Sequence, residues 1–380
     1  MEPDMTPSFE SAIFLPERRG GHPRYGLELA EATARLSPGT AYFLSSQDLD
    51  VEAPGPTVQV ERIFKPLRPP SSFRHRILWM MSRVFHYTRR DLQLLSWIKA
   101  HPSVRILHFQ QLCSPWMQPL VARLAKRRGI ALVTTVHNLR PHNASEHPSM
   151  RERLQSRSLR RFDRIFVHHG LDVHRASEVL NLPIDRLVVI EHGLFIEDCP
   201  EPRLEDRRLV LLGTLSPYKG LLELVEAAAL LPDWTIEIHG RVIDEEYVAR
   251  CVALDAPNVS FHLGFVPDEA LADIFGAATA SILPYTRLEA QSGALHLSLG
   301  CGRPVVVTPV GGMVEVVERF GCGVVTSGTS PREIADAIVE LAKPPVYASA
   351  LRGVSEARKT LSWEQAAKVT YSTYRDLATP

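Results

Sequence analysis

Residues 209–220 are Leu-Val-Leu-Leu-Gly-Thr-Leu-Ser-Pro-Tyr-Lys-Gly, and a helix-period apolar segment, Leu221–Leu231, follows directly. A short apolar run, a glycine-containing turn and a helix together form the first half of a βαβ unit. The run is apolar without alternation, which is typical of a parallel strand that is covered on both faces. This stretch therefore predicts an α/β fold.

The same pattern recurs on both sides of this stretch. The strand-like runs of the first half are Ser11–Leu15, Ala41–Leu44, Val104–Phe109, Ala131–Val136, Arg164–Val167 and Leu187–Ile190. Those of the second half are Leu209–Leu212, Thr235–His239, Val259–Leu263, Ala280–Leu283, Pro304–Val307 and Gly323–Thr326. Helix-period segments separate them, so the two series predict two doubly wound, Rossmann-like domains.

A linker is predicted where this pattern stops, over residues 191–205, which are rich in proline and acidic residues. We therefore expect an N-terminal domain over 1–195 and a C-terminal domain over 196–360. The remaining residues, 361–380, contain one more helix candidate, Trp363–Leu377, which we expect to cross back to the N-terminal domain.

The composition excludes several classes of protein. The 380 residues include 43 Lys and Arg and 43 Asp and Glu, and 45% are hydrophobic, which argues against disorder and against a nucleic-acid-binding protein. The zero net charge is a sum: residues 1–199 hold 27 basic and 20 acidic residues, and the other half holds 16 and 23. The halves thus carry +7 and −7, an asymmetry that hints at different partners.

Cysteine use and hydropathy predict a cytoplasmic protein. Five widely spaced cysteines without a CxxC motif indicate neither a disulfide framework nor a zinc site. The first residues lack the features of a signal peptide, and no run approaches the ~18 apolar residues of a membrane span.

Chemistry-bearing residues lie where the predicted strands end, which is where open parallel sheets bind ligands. The Gly20-Gly21 pair precedes a helix and suits either an anion or a flexible turn. Lys219, at a helix start, is either a ligand of a phosphate group or a solvated surface lysine. His137 follows a strand and is either a proton-transfer group or a satisfied strand-end histidine. Residues 289–294 (Glu-Ala-Gln-Ser-Gly-Ala) open another helix, where Glu289 could instead be a first-turn acid.

Taken together, these segments resemble the sugar-nucleotide glycosyltransferases of the GT-B fold, specifically glycosyltransferase family 4. The likeness spans nearly the whole chain and rests on six segments in order. They are Gly20-Gly21, His137, Gly213 to Gly220, Leu263 to Val266, Pro284 to Val306 and Gly311 to Glu315.

The resemblance implies two domains facing a central cleft, with the nucleotide sugar bound by the C-terminal domain and the acceptor by the N-terminal one. Lys219 would neutralise the departing diphosphate, and His137 would touch the donor sugar. The implied donor-binding residues are Gly21, Gly213, Ser216, Lys219, Gly264, Glu289, Gln291, Ser292 and Gly293. No metal and no cofactor other than the substrate are implied, because lysine and backbone dipoles stabilise the leaving charge.

Two departures from the family pattern leave alternatives open. Thr214 stands where an Arg is usual, and Leu297 stands where a second Glu is usual. Either the chain is a catalytically silent partner of another transferase, or it is similar to the branch of xanthan-type exopolysaccharide β-mannosyltransferases. An inverting enzyme would need a base, for which Glu17, His137 and Glu146 are candidates; a retaining one would not.

A basic stretch in the N-terminal half predicts the acceptor or membrane side. Residues 62–90 hold eight Lys and Arg and no acid, and Arg76, Arg83 and Arg90 lie seven apart. Such a helix suits an anionic membrane surface, although it could also pack on its own domain. The resulting hypothesis is that the protein transfers a sugar from GDP-mannose or a UDP-sugar to a lipid-linked or polysaccharide acceptor. It would act at the inner face of the membrane, and nucleic acid is not expected among its partners.

Overall fold

The computed structural model describes residues 8–18, 21–51, 55–66, 76–137, 150–168, 173–288 and 292–379. For residues 76–80, 150–153, 155 and 175, all within helices, the description covers the backbone alone.

The N-terminal half contains a seven-stranded sheet with all pairings parallel and the order β3-β2-β1-β4-β5-β6-β7. Its strands are β1 (Glu10–Leu15), β2 (Ala41–Ser46), β3 (Val58–Phe64), β4 (Val104–Phe109), β5 (Ala131–Val136), β6 (Arg164–His168) and β7 (Leu187–Ile190). Its helices are α1 (Gly21–Ala34), α2 (Arg76–Ala100), α3 (Gln118–Arg127), α4 (Met150–Leu159) and α5 (Val173–Leu180).

The C-terminal half contains a second parallel sheet of six strands in the order β10-β9-β8-β11-β12-β13. Its strands are β8 (Arg208–Leu212), β9 (Thr235–Gly240), β10 (Val259–Leu263), β11 (Ala280–Leu283), β12 (Val305–Val307) and β13 (Gly323–Val325). The helices are α6 (Leu221–Ala228), α7 (Glu245–Val252), α8 (Leu271–Gly276), α9 (Gly293–Gly300), α10 (Met313–Phe320), α11 (Pro331–Leu341), α12 (Pro344–Thr360) and α13 (Trp363–Ala378).

The two doubly wound parallel sheets confirm the predicted fold class, with one correction. None of the predicted strand-like runs corresponds to β3, which lies at the edge of its sheet. The middle of this strand holds Gln59, Glu61 and Arg62, and its side chains are largely accessible to solvent. An edge strand tolerates such polar residues because one side of it faces water, so it lacks the continuous apolar run of a buried strand.

Strand order reverses between β1 and β4 in one sheet and between β8 and β11 in the other. The loops that follow the strands at such a reversal splay apart and leave a crevice. The chain then returns to the first sheet at its end: in α13, Tyr374 bonds to His108 at 2.5 Å and Tyr371 stacks on Phe9. The last helix of the chain thus packs on the N-terminal half.

Candidate active site

A cavity of about 390 Å³ lies between the two halves, beyond the carboxyl ends of β8 and β9. Gly21, Arg24, Asp50 and Val51 line it on the N-terminal side. The C-terminal side is larger and includes Leu212, Gly213, Thr214, Lys219, Gly240, Arg241, Phe265, Val266, Gly293, Ala294 and Leu297. This is the position at which open parallel sheets bind ligands.

Lys219 is the central polar group of this wall. It ends a short 3₁₀ turn, Pro217–Lys219, and only 7% of it is exposed. Its Nζ donates to the Tyr285 hydroxyl at 2.5 Å, and that hydroxyl lies 3.1 Å from Ser292 Oγ. Burial lowers the pKa of Lys219 to about 8. Lys219 is therefore a buried cation and not a solvated surface lysine.

Two glycines give the loop around Lys219 its path. Gly213 has φ +151°, and a Cβ there would lie 3.5 Å from Lys219 Nζ. Gly220 has φ +68°, and a Cβ there would meet the Pro284 carbonyl oxygen at 1.8 Å. Positive φ is readily adopted only by glycine, so this loop can bring the ammonium group to the cavity only with glycine at both positions.

The start of α9 forms the neighbouring part of the wall. Ser292 caps this helix, its Oγ accepting from the Leu295 N–H at 3.4 Å. Gly293 follows, and the space where its Cβ would stand is open. Free N–H groups at a helix start attract anions, so α9 and Lys219 present positive charge to one cavity. Glu289 and Gln291, the other predicted donor ligands here, lie outside the described residues.

Two further residues that were predicted to bind the donor, Ser216 and Gly264, do not line this cavity. Ser216 is buried, and its hydroxyl has no hydrogen-bond partner in the part of the chain that the structure describes; it does not line the cavity. Gly264 is likewise absent from the lining, whereas the next two residues, Phe265 and Val266, contribute to it. Gly21, by contrast, lines the cavity from the N-terminal side.

His137 is held inside the N-terminal half. Its Nε2 lies 2.8 Å from Gln110 Oε1, and its Nδ1 lies 3.3 Å from His168 Nε2. Since the amide oxygen only accepts, Nε2 carries the hydrogen and Nδ1 accepts from His168. Removal from water lowers the pKa of His137 well below its usual range. This arrangement favours the interpretation of a satisfied strand-end histidine, because both ring nitrogens have protein partners.

His22 is a residue that the sequence reasoning missed. Its Nδ1 lies 3.1 Å from Glu17 Oε2, and its ring stacks on His137 at 4.7 Å. The Glu17 carboxylate raises the pKa of His22. Both residues line a second cavity, of about 370 Å³, in the N-terminal half. Glu17 therefore orients an imidazole; the only signal for His22 was its position next to Gly21.

Two arginines beside the first cavity were missed as well. Arg24 forms an ion pair with Glu197 and lies over the Phe195 ring. Arg241 follows β9 directly, and its strand-end position could have identified it. Thr214 and Leu297, the two departures from the family pattern, line the same cavity. The cavity thus lacks the family arginine at position 214 but has Arg241, which follows the neighbouring strand.

The predicted basic stripe on α2 is wrong at Arg90. This side chain is 5% exposed, pairs with Asp91 at 2.7 Å and lies over the Phe14 ring. The reason is that the second half of α2 packs on the sheet. Arg83 is exposed, and the side chain of Arg76 lies outside the described part of the chain. The first half of α2 instead exposes apolar side chains, those of Met81, Val84 and Phe85.

None of the described helices is both long enough and apolar enough to span a bilayer. Two protein-family profiles match the chain. The "Glycosyl transferase 4-like domain" family matches residues 20–193, and the "Glycosyl transferases group 1" family matches residues 206–343.

Individual relatives are distant. The D-inositol 3-phosphate glycosyltransferase of Acidothermus cellulolyticus is 26% identical over 298 residues, which cover 69% of this chain and 65% of that protein. The O-antigen chain mannosyltransferase B of Escherichia coli is 25% identical over 277 residues, covering 64% of this chain and 70% of the relative. The chain thus spans about two thirds of the length of these relatives.

Solved structures share the fold. Sucrose-phosphate synthase from Thermosynechococcus elongatus superposes with a TM-score of 0.71 at 18% identity, covering 97% of this chain and 99% of that one. Anabaena HepE in complex with UDP and glucose gives 0.70 at 15% identity, covering 97% and 100%. With both halves matched by glycosyltransferase families and the two-sheet fold shared, the chain belongs to the GT-B glycosyltransferases of the group 1 type.

Proposed function

We propose that this protein transfers a sugar from a nucleoside diphosphate to an acceptor hydroxyl, with the donor in the cavity between the two halves. The observation that carries the proposal is the buried cation of Lys219 beside the open start of α9. Burying a lysine charge costs free energy, and no carboxylate of the described residues forms an ion pair with it. A bound diphosphate would supply the missing negative charge.

The chemistry follows from this arrangement. When the bond between the sugar and the diphosphate breaks, negative charge grows on the leaving oxygens. Lys219 Nζ and the N–H groups of Gly293 and Ala294 are fixed in place before the reaction, so they stabilise that charge without reorganising. Arg241 adds a second cation to the same wall. We propose that these groups suffice for departure of the diphosphate without a metal ion.

The donor is proposed to be GDP-mannose or a UDP-sugar. The E. coli relative is named a mannosyltransferase, and one structure of the same fold was solved with UDP and glucose. The base would lie against the turn that holds Phe265 and Val266, and Glu289 and Gln291 are proposed to bind the sugar. A specific likeness to the xanthan-type β-mannosyltransferases belongs to this same proposal.

The acceptor is proposed to enter the second cavity, beside Glu17 and His22. If transfer inverts the anomeric centre, His22 Nε2 would take the acceptor proton, and the Glu17 carboxylate would stabilise the imidazolium that forms. If transfer retains it, the pair would orient the acceptor only. A lipid-linked or polysaccharide acceptor of cell-surface glycan synthesis fits the apolar start of α2, which would rest on an anionic membrane from the cytoplasmic side.

A catalytically silent protein is the second candidate function. The observation in its favour is that Thr214 and Leu297 both line the donor cavity. Their presence removes a cation and a carboxylate from the family pattern. Such a protein would act as a partner of another transferase and could retain nucleotide binding without turnover.

The test begins with thermal unfolding in the presence of UDP, GDP, dTDP and their sugars, because a ligand of the native state raises the unfolding midpoint. The nucleotide that stabilises the protein then defines the donor for a turnover assay. We expect Lys219→Ala to lower turnover about 100-fold or more, whereas the exposed control Lys343→Ala should not change it. Turnover of Lys219→Ala within twofold of wild type would contradict the mechanism, and binding without turnover in the wild type would support the silent function.

A further inference from the structure

Three potential metal ligands meet on one face of the C-terminal sheet, at the edge formed by β9 and β10. His239 of β9 stands opposite His262 of β10 in the parallel register, and their rings stack at 4.2 Å. Glu237 lies two residues before His239, with its Oε2 3.3 Å from His239 Nε2. One ligand atom from each of the three lies within 4.8 Å of the other two.

The arrangement follows from the two-residue period of a strand. Ile236, Ile238 and Phe261 point to the opposite face and pack in the apolar core of the half. The alternate residues Glu237, His239 and His262 therefore share the other face. Two ligands at i and i+2 on one strand and a third on the adjacent strand can face a common point, which makes this a compact tridentate set.

The surroundings of the three side chains favour coordination. Arg208 pairs with Glu237 Oε1 at 3.2 Å, which leaves Oε2 directed at His239. An outer partner of this kind orients a carboxylate ligand. His239 is buried. His262 is exposed, so an ion can enter from solvent and a water can complete its coordination.

We propose that Glu237, His239 and His262 bind one divalent transition-metal ion of the zinc class. Two imidazoles and one carboxylate suit Zn²⁺, Co²⁺ or Ni²⁺, whereas Mg²⁺ and Ca²⁺ prefer oxygen ligands alone. The ion would join the edge strand β10 to β9 just before the turns at Arg241 and Phe265, which line the donor cavity. The proposal goes beyond sugar transfer and does not depend on it.

The test uses the full chain without a histidine tag, after treatment with a chelator. Calorimetric titration with Zn²⁺, and the visible absorption of bound Co²⁺, should show one ion per chain. Zn²⁺ should raise the thermal unfolding midpoint, while Mg²⁺ should not. His262→Ala, which changes an exposed side chain, should weaken Zn²⁺ binding at least about tenfold and abolish the midpoint shift.

His101→Ala is the matched control, since His101, directly after α2, and Glu61 of β3 form a histidine–glutamate pair at 3.7 Å in the other half. It should bind Zn²⁺ as the wild type does. Absence of stoichiometric binding in the wild type, or equal binding in His262→Ala, would overturn the proposal. Because these titrations contain no nucleotide, their failure is distinct from failure of the donor-binding tests.

Discussion

The two cavities differ in the charge of the buried titratable group that lines each of them. On the C-terminal wall, Lys219 has its pKa lowered from 10.5 to about 8 by burial. In the second cavity, on the N-terminal side, burial lowers the pKa of His137 well below its usual range. The physical cause is the same, removal from water, which disfavours the charged form. At pH 7 the lysine nevertheless remains charged, and the histidine is neutral.

This difference shows how an acidic half can present positive charge to a cavity. Residues 200–380 carry a net charge of −7, yet their cavity wall presents Lys219 and Arg241. In the half with +7, the cavity is lined by His137, whose pKa burial lowers well below its usual range, and by His22, whose pKa the Glu17 carboxylate raises. Local burial and the starting pKa of each side chain decide the charge at a site, and the sum over a domain does not.

The largest expected effect comes from removing the buried cation. In Lys219→Met, turnover should fall about 100-fold or more. The free protein should meanwhile be stabilised by about 1–3 kcal/mol, because a charge with a lowered pKa opposes folding at pH 7. Turnover and the free energy of unfolding in urea measure the two effects.

The stability difference has a defined pH dependence. Between the folded pKa of about 8 and the unfolded value of 10.5, the unfolded chain holds a proton that the folded chain has lost. Wild-type stability therefore rises with pH in this window relative to Lys219→Met, and the advantage of the variant should shrink. If the stability difference between the wild type and Lys219→Met stays constant from pH 7 to 10, folding does not lower the pKa of Lys219.

The second effect is on the affinity for nucleoside diphosphate. As the pH rises above about 8, free Lys219 loses its proton, and binding must then include proton uptake. The dissociation constant should rise about tenfold per pH unit above 8, as measured by calorimetry from pH 7 to 9.5. In Lys219→Arg the side chain stays charged, so a similar steep rise in that variant would assign the pH dependence to another group.

The third effect concerns Glu17 and His22 in the second cavity. Glu17→Gln removes the carboxylate that raises the pKa of His22, so this pKa should fall. Two-dimensional NMR of the imidazole resonances follows the titration directly. If His22 is the acceptor base, the acidic limb of the turnover–pH profile should move to lower pH together with it. An unmoved His22 titration would contradict the assigned pair.

The smallest effect is expected at the start of α2. Phe85 is 71% exposed, and Arg83, two residues before it, is exposed as well. Phe85→Asp should reduce co-sedimentation of the full chain with anionic vesicles several-fold, whereas Leu92→Asp, farther along the same helix, should change it less. Binding should also weaken with salt. Equal sedimentation of both variants and the wild type would show that this part of α2 does not bind membranes, and the +7 charge of this half would then have no membrane role.

Much of the fold could be predicted because each buried parallel strand has a recognisable apolar run. The exception, β3, shows the limit of that signal: at a sheet edge, Gln59 and Glu61 are compatible with a strand, and the pattern disappears. Strand ends likewise indicated Lys219 and Gly293, since the carboxyl ends of parallel strands meet at one edge.

The rest of the site depended on contacts between distant segments. Gln110 and His168 engage His137, and Asp91 with the Phe14 ring engages Arg90. Sequence spacing alone left His137 as either a proton-transfer group or a satisfied strand-end histidine, and it placed Arg90 on an exposed stripe. The partners of both residues lie on distant segments and are not visible in the local pattern. The pairing of His239 with His262 likewise requires the register of β9 and β10.

The amino-acid sequence by itself determined the two parallel sheets and which loops follow their strand ends, because hydrophobic periodicity and turn residues act over a few neighbouring positions. Only the tertiary structure decided which of those polar groups are charged, free or engaged. That outcome depends on burial and on partners from other segments, as with Tyr285 beside Lys219 and Glu17 beside His22. Desolvation and pairing are properties of the packed chain, and they decide the charge that a strand-end residue carries.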